Sequence, residues 1–117
     1  MARSVLLVDD DNSSRVALML LLEEEGFVVE TAVSFADAKA RIGRGTRYDL
    51  VLLDQQLGDG RGSDLLPLVR EHSPGARVVL VSGNAKHATV DVSGFDAVIE
   101  KAAGFPEMLA QMVHVLG

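Results

Sequence analysis

Three consecutive aspartates, Asp9, Asp10 and Asp11, follow the apolar run Val5-Leu6-Leu7-Val8. Asp54 follows a second run, Leu50-Val51-Leu52-Leu53. Ser82 follows Val78-Val79-Leu80-Val81, and Glu100 and Lys101 follow Ala97-Val98-Ile99. Adjacent carboxylates repel and raise each other's pKa unless a cation sits between them. With Asp54 added, a hard divalent cation is the natural partner. Oxygen-only ligands with room for waters favour Mg²⁺. A carboxylate beside a metal and a lysine can also attack phosphorus. Plainer readings stand beside these. Asp11 suits a helix N-cap, which leaves Asp9 and Asp10 unexplained. Asp54 opens the glycine-rich stretch Gln55-Gln56-Leu57-Gly58-Asp59-Gly60 and could be a loop residue. Lys101, one of three lysines with Lys39 and Lys86, could be a solvated surface cation. Ser82 could be a turn hydroxyl before Gly83.

These residues need elements to bring them together. The runs ending at Val8, Leu53, Val81 and Ile99, with Phe27-Val28-Val29, are short and near-continuous rather than alternating. That pattern suits strands buried on both faces of a parallel sheet. Helical stretches separate them, over about 13–25, 34–44, 63–71, 84–90 and 106–116. Gly26 stops the first, and Ser34 with Asp37 opens the second as a capping pair. Pro67 falls near the first turn of the third, and Pro106 suits an N1 position. Strict alternation predicts an α/β fold, a doubly wound five-stranded parallel sheet with helices on both faces. Ligands of such sheets bind outside the carboxyl ends of the strands, where Asp9, Asp10, Asp54, Ser82 and Lys101 fall.

Composition narrows the function further. The 117 residues predict one domain over 1–117. Net charge of −6 argues against direct nucleic-acid binding, which wants a basic face. There is no cysteine, so disulfides, thiolate zinc and cysteine nucleophiles are excluded. The longest apolar run, Val16 to Leu22, is too short to span a bilayer. Four apolar residues after Met1-Ala2-Arg3-Ser4 are too few for a signal peptide. A cytoplasmic location is therefore expected. No P-loop is present, and Gly58-Asp59-Gly60-Arg61-Gly62 is not a dinucleotide fingerprint. His72, His87 and His114 have no metal spacing.

Val5-Leu6-Leu7-Val8-Asp9-Asp10-Asp11, Leu53-Asp54 with Asp59-Gly60 after it, Val81-Ser82 and Lys101 together resemble the receiver domain of bacterial two-component response regulators. The resemblance covers essentially the whole chain. It implies a flavodoxin-like sheet with strand order 2-1-3-4-5. It implies a switch phosphorylated on Asp54 by a histidine kinase or histidine phosphotransfer protein, rather than a turnover enzyme. By the same resemblance, Asp10, Asp54 and the backbone carbonyl of Gln56 ligate Mg²⁺, and Asp9 holds a metal-bound water. Lys101 contacts the phosphoryl oxygens, and Ser82 hydrogen-bonds the phosphoryl group once formed.

The chain departs from the family at three positions. Gly58 and Ala102 stand where the family usually has proline, and Val98 where it favours Tyr or Phe. A non-proline cis bond costs about 2.5–4 kcal/mol, so a trans bond is expected after Lys101. The first helix is expected to bury Leu18, Leu21 and Leu22. Val16, Met19, Leu20 and Glu23 then form an outward strip for a kinase helical bundle. A homodimer is left open. Two further readings stand beside this one. A degenerate receiver would dock without phosphorylation. An aspartyl-phosphate hydrolase wants a second acid two residues after the nucleophile, where this chain has Gln56.

Overall fold

The computed structural model describes residues 3–83 and 93–116. Five strands, β1 (Ser4–Val8), β2 (Val28–Ala32), β3 (Leu50–Asp54), β4 (Arg77–Ser82) and β5 (Ala97–Glu100), form one sheet. All neighbours pair in parallel, in the order β2-β1-β3-β4-β5. This is the expected strand order. The helices among the described residues are α1 (Asn12–Glu24), α2 (Phe35–Gly43), α3 (Leu66–His72) and α4 (Phe105–Leu116). A two-residue hairpin pairs Gln56–Leu57 with Gly60–Arg61. The stretch expected to be helical over 84–90 lies outside the described residues. The last predicted helix is α4.

The inner strands explain the continuous apolar runs. Val5 to Val8 and Leu50 to Leu53 are shut from solvent on both sides. One set of side chains, including Leu6, Val8, Val51 and Leu53, packs with Ala38, Ile42 and Val69 of α2 and α3. The alternate set, including Val5, Leu7, Leu50 and Leu52, packs with Leu18, Leu22, Met108 and Met112 of α1 and α4. Each such leucine contributes about 1.5–3 kcal/mol by burial. The edge strands are covered less. Val28 is 57% exposed and Val98 44%, while Ile99 next to it is buried. Strand β2 runs on through the alternating Glu30 and Thr31 to Ala32, beyond the apolar run that announced it.

Local signals set the helix ends. Asp11 accepts a hydrogen bond from the Ser14 N–H at 2.9 Å and caps α1. At the other end Gly26 adopts φ +92°, open only to glycine at low strain. Its N–H donates to Glu23 O and that of Phe27 to Leu22 O, which closes the helix. Ser34 caps α2 through the Asp37 N–H, and Asp37 in turn accepts from Val33 N–H. The third helix starts later than expected. A 3₁₀ turn, Gly62–Leu65, precedes it, and Pro67, which lacks an N–H, sits in the first α-helical turn. On α1, Leu18 and Leu22 are buried, and Val16 and Leu20 face outward, as expected. Leu21 is only half-buried, and Met19 is half-buried against the core rather than turned to solvent. Its flexible thioether fills space that a stiffer chain would leave.

Candidate functional site

Register alone brings the polar strand ends together. Val8 lies beside Leu53, so Asp9 follows on β1 where Asp54 ends β3. Asp54 lies beside Val81, and Ser82 beside Glu100. Lys101 is the next residue. It begins a 3₁₀ turn, Lys101–Ala103, and Gly104 at φ +88° swings the chain into α4. No cis peptide bond occurs among the described residues. With a trans bond after it, Lys101 still places Nζ 2.7 Å from Asp54 Oδ2 and 3.7 Å from Asp9 Oδ2. A cleft of about 360 Å³ opens above these ends, lined by Asp10, Asp54, Gln56, Leu57, Gly58, Gly83 and Lys101.

Asp9 and Asp54 are buried, and Asp10 is exposed. Each of the three offers a carboxylate oxygen within 4.8 Å of the others. Burial pushes the Asp9 carboxyl up to about 6, and the charge of Asp54 adds to the rise. The Asp11 N–H, which donates to Asp9 Oδ1 at 2.9 Å, and the Lys101 charge oppose it. Burial also works against the Lys101 ammonium. The hydrogen bond and charge of Asp54 outweigh it, so its pKa lies above the usual lysine value. Among the described residues, Asp9 and Asp54 share one ammonium group, Lys101, and Asp10 has none within ion-pair distance. That charge deficit, the hard oxygen donors and the open cleft fit a Mg²⁺ ion.

Backbone contacts fix the loop after β3. The Gln55 N–H donates to Val81 O at 2.9 Å, and Gln55 O accepts from Gly62 N–H at 3.1 Å. Gln55 itself is buried, and its Oε1 accepts from the Ser63 N–H. The Gln56 N–H donates to Asp54 Oδ1 at 3.2 Å. Gly62 lies so close that a Cβ there would meet Asp54 O at 2.1 Å. Asp59 points away from the cleft. Its carboxylate accepts the N–H groups of Ala36 and Phe35, which hold its pKa below the usual range, and so ties the loop to α2. The structure therefore brings Asp9, Asp10, Asp54, Gln56 and Lys101 around one cleft, with Ser82 ending the neighbouring strand. The expectations did not include Gln55, Gly62, or the contacts of Asp59 and Gly58. Only the density of glycines after Asp54 pointed to close backbone approach there, without saying which glycine carries it.

Comparison with known proteins bears on the family and the fold. The response regulator receiver domain model matches residues 5–113. Photosynthetic apparatus regulatory protein RegA of Cereibacter sphaeroides is 40% identical over 87 residues, covering 74% of this chain and 47% of RegA. The chain thus spans about half the length of that relative. A receiver domain protein from Methanospirillum hungatei superposes with TM-score 0.88 at 29% identity, over 99% of this chain and 94% of the other. A Burkholderia pseudomallei response regulator, solved with a phosphorylated aspartic acid and a calcium ion, gives TM-score 0.82 at 25% identity, over 94% and 66%. The family match and the shared fold agree, and the chain belongs to the response regulator receiver domain family.

Proposed function

We propose that Asp54 is the phosphoacceptor and that phosphorylation needs Mg²⁺. The observation that carries this is the 2.7 Å approach of Lys101 Nζ to Asp54 Oδ2 at the floor of an acidic cleft. An Asp54 carboxylate oxygen attacks the donor's phosphorus, so that the new O–P bond forms as the P–N bond to the phosphohistidine breaks and the imidazole leaves. Lys101 follows the charge onto the phosphoryl oxygens, where positioning and neutralisation do most of the catalysis. Ser82 hydrogen-bonds the group once it is attached. Asp10, Asp54 and the Gln56 carbonyl would hold Mg²⁺ directly, and Asp9 through a water. When bound, the ion would supply positive charge between carboxylates and incoming phosphoryl oxygens.

The phosphoryl donor in this reading is a phosphohistidine, on a histidine kinase or a histidine phosphotransfer protein. The exposed Val16 and Leu20 of α1 offer an apolar strip beside the cleft for such a partner. The reaction is self-phosphorylation and self-dephosphorylation, with no turnover of a separate substrate. Among the described residues no helix is long and apolar enough to cross a membrane, and a cytoplasmic location goes with this reading.

Incubation with acetyl phosphate and Mg²⁺, followed by intact mass measurement, tests it. One phosphoryl group should be gained, lost on hydroxylamine treatment, and absent in Asp54→Asn. Labelling retained in that variant would move the acceptor elsewhere. No labelling of a folded wild type would make the domain an unphosphorylated docking module.

A further inference from the structure

One contact in the cleft belongs to the backbone. Gly58 N–H donates to Asp10 Oδ2 at 3.2 Å, across 48 positions of sequence. Asp10 is the exposed member of the acidic trio. Asp9 is held by the Asp11 N–H and Lys101, and Asp54 by the Gln56 N–H and Lys101. Among the described residues, Asp10 has neither burial nor an ammonium group within ion-pair distance to fix it. A carboxylate on the end of a strand is otherwise free to turn about χ1 and χ2. The Gly58 N–H is thus its one hydrogen bond to the rest of the cleft among the described contacts. The donor itself is well anchored. Gly58 sits at the tip of the Gln56–Leu57 and Gly60–Arg61 hairpin, next to Asp59, whose carboxylate is pinned to α2.

We infer that Gly58 is a positioning residue for the cation site, its N–H holding the Asp10 carboxylate in place for Mg²⁺. The inference rests on the Mg²⁺ reading above and goes beyond it. What matters at position 58 is the N–H and not the missing side chain. Gly58 has no positive φ, and a Cβ added there would stand 3.7 Å from Asp10 Oδ2, an ordinary contact. Alanine therefore fits and keeps the donor. Proline removes the donor and puts a ring carbon where the hydrogen points at Asp10 Oδ2, so it displaces the carboxylate as well as releasing it. A hydrogen bond to a charged acceptor, weakened here by exposure, corresponds to roughly a three- to ten-fold change in affinity.

The test is a Mg²⁺ titration of wild type, Gly58→Ala and Gly58→Pro, followed by backbone amide shifts. The metal-free spectra and melting temperatures of the same samples report the fold. The Pro variant should bind Mg²⁺ three- to ten-fold more weakly, with the Ala variant close to wild type. In metal-free Asp10→Asn the Gly58 amide proton should move upfield, because its acceptor has lost its charge. Equal or tighter Mg²⁺ binding by a folded Gly58→Pro overturns the inference. So does equal weakening in Gly58→Ala, or a Gly58 amide indifferent to Asp10→Asn. A wild type that binds no Mg²⁺ at millimolar concentration overturns the Mg²⁺ reading itself and this inference with it.

Discussion

Asp9 is the residue whose environment is least comfortable. It is buried beside Asp54, with one ammonium group to share between them. Burial therefore favours its neutral form, with a pKa near 6. The sign follows. The folded protein binds the Asp9 proton more tightly than the unfolded chain does. Asp9 thus favours folding most when protonated, and this contribution is lost as pH rises through about 6. Removing the charge by Asp9→Asn should then stabilise the metal-free protein at pH 7.5. The rise from 3.8 to about 6 sets a ceiling of about 3 kcal/mol. Screening in the open cleft reduces this to about 1–2 kcal/mol. The advantage should shrink toward pH 5, where wild-type Asp9 is protonated. Added Mg²⁺ should reverse the order, because the cation stabilises wild type by linkage and finds one carboxylate fewer in the variant. Thermal melts at two pH values, with and without Mg²⁺, decide it. A destabilised metal-free Asp9→Asn at pH 7.5 would mean that its charge is net favourable.

The loop between β3 and α3 turns a strand end into a site, and its glycines differ sharply in what they tolerate. At Gly62 the chain passes directly over the Asp54 carbonyl, and an added methyl would stand 2.1 Å from that oxygen. Backbone cannot yield as a side chain can. Gly62→Ala should therefore cost about 2–4 kcal/mol in urea denaturation and slow acetyl phosphate labelling by displacing Asp54. Gly58→Ala should unfold at nearly the wild-type urea concentration. Equal midpoints for the two variants would disprove the close approach. This loop also marks where reading from sequence ends. The strands were visible because Val5 to Val8 and Leu50 to Leu53 are buried on both faces. Asp11, Ser34 and Gly26 announced helix ends because capping is local. Asp54 and Lys101 were legible as strand-end residues once the alternation gave a parallel sheet. The contacts of Gly58, Asp59 and Gly62 were not. They join positions 8 to 48 residues apart through backbone groups that carry no side-chain signal. The bounds of β2 were blurred for another reason. An edge strand is only partly covered, so Glu30 is exposed within it.

At the scale of the whole molecule, the open question is how a change at Asp54 leaves the site. The sheet offers two exits on the Lys101 side, the segment after Ser82 and strand β5. Strand β5 is held firmly at its start. Asp96 accepts the Val78 N–H at 2.7 Å and pairs with Arg70 at 3.4 Å and Arg77 at 3.6 Å. In its middle, Ile99 is buried in the α1 and α4 core, and Val98 lies on the other face, 44% exposed. A valine has one stiff χ1 and no ring to swing into space left by a moving hydroxyl. The nearby aromatics are committed elsewhere. Phe95 packs against the core of the α2 and α3 side, and Phe105 opens α4 beyond the Gly104 turn. In the proposed phosphorylated state, a shift of Ser82 toward the phosphoryl group would therefore have no aromatic ring on β5 to drag with it. Phosphorylation should act on Ser82, Gly83 and the residues that follow, with β5 and α4 nearly still. Backbone amide shifts with and without beryllofluoride, a phosphoryl mimic, measure this directly. The large shifts should fall at Asp54 to Gly58, at Ser82 and Gly83 and in the segment just after them, and stay small from Ala97 to Ile99 and along α4. Large shifts along Ala97 to Ile99 and the length of α4, with dimerisation through that face, would show that β5 carries the signal without an aromatic switch.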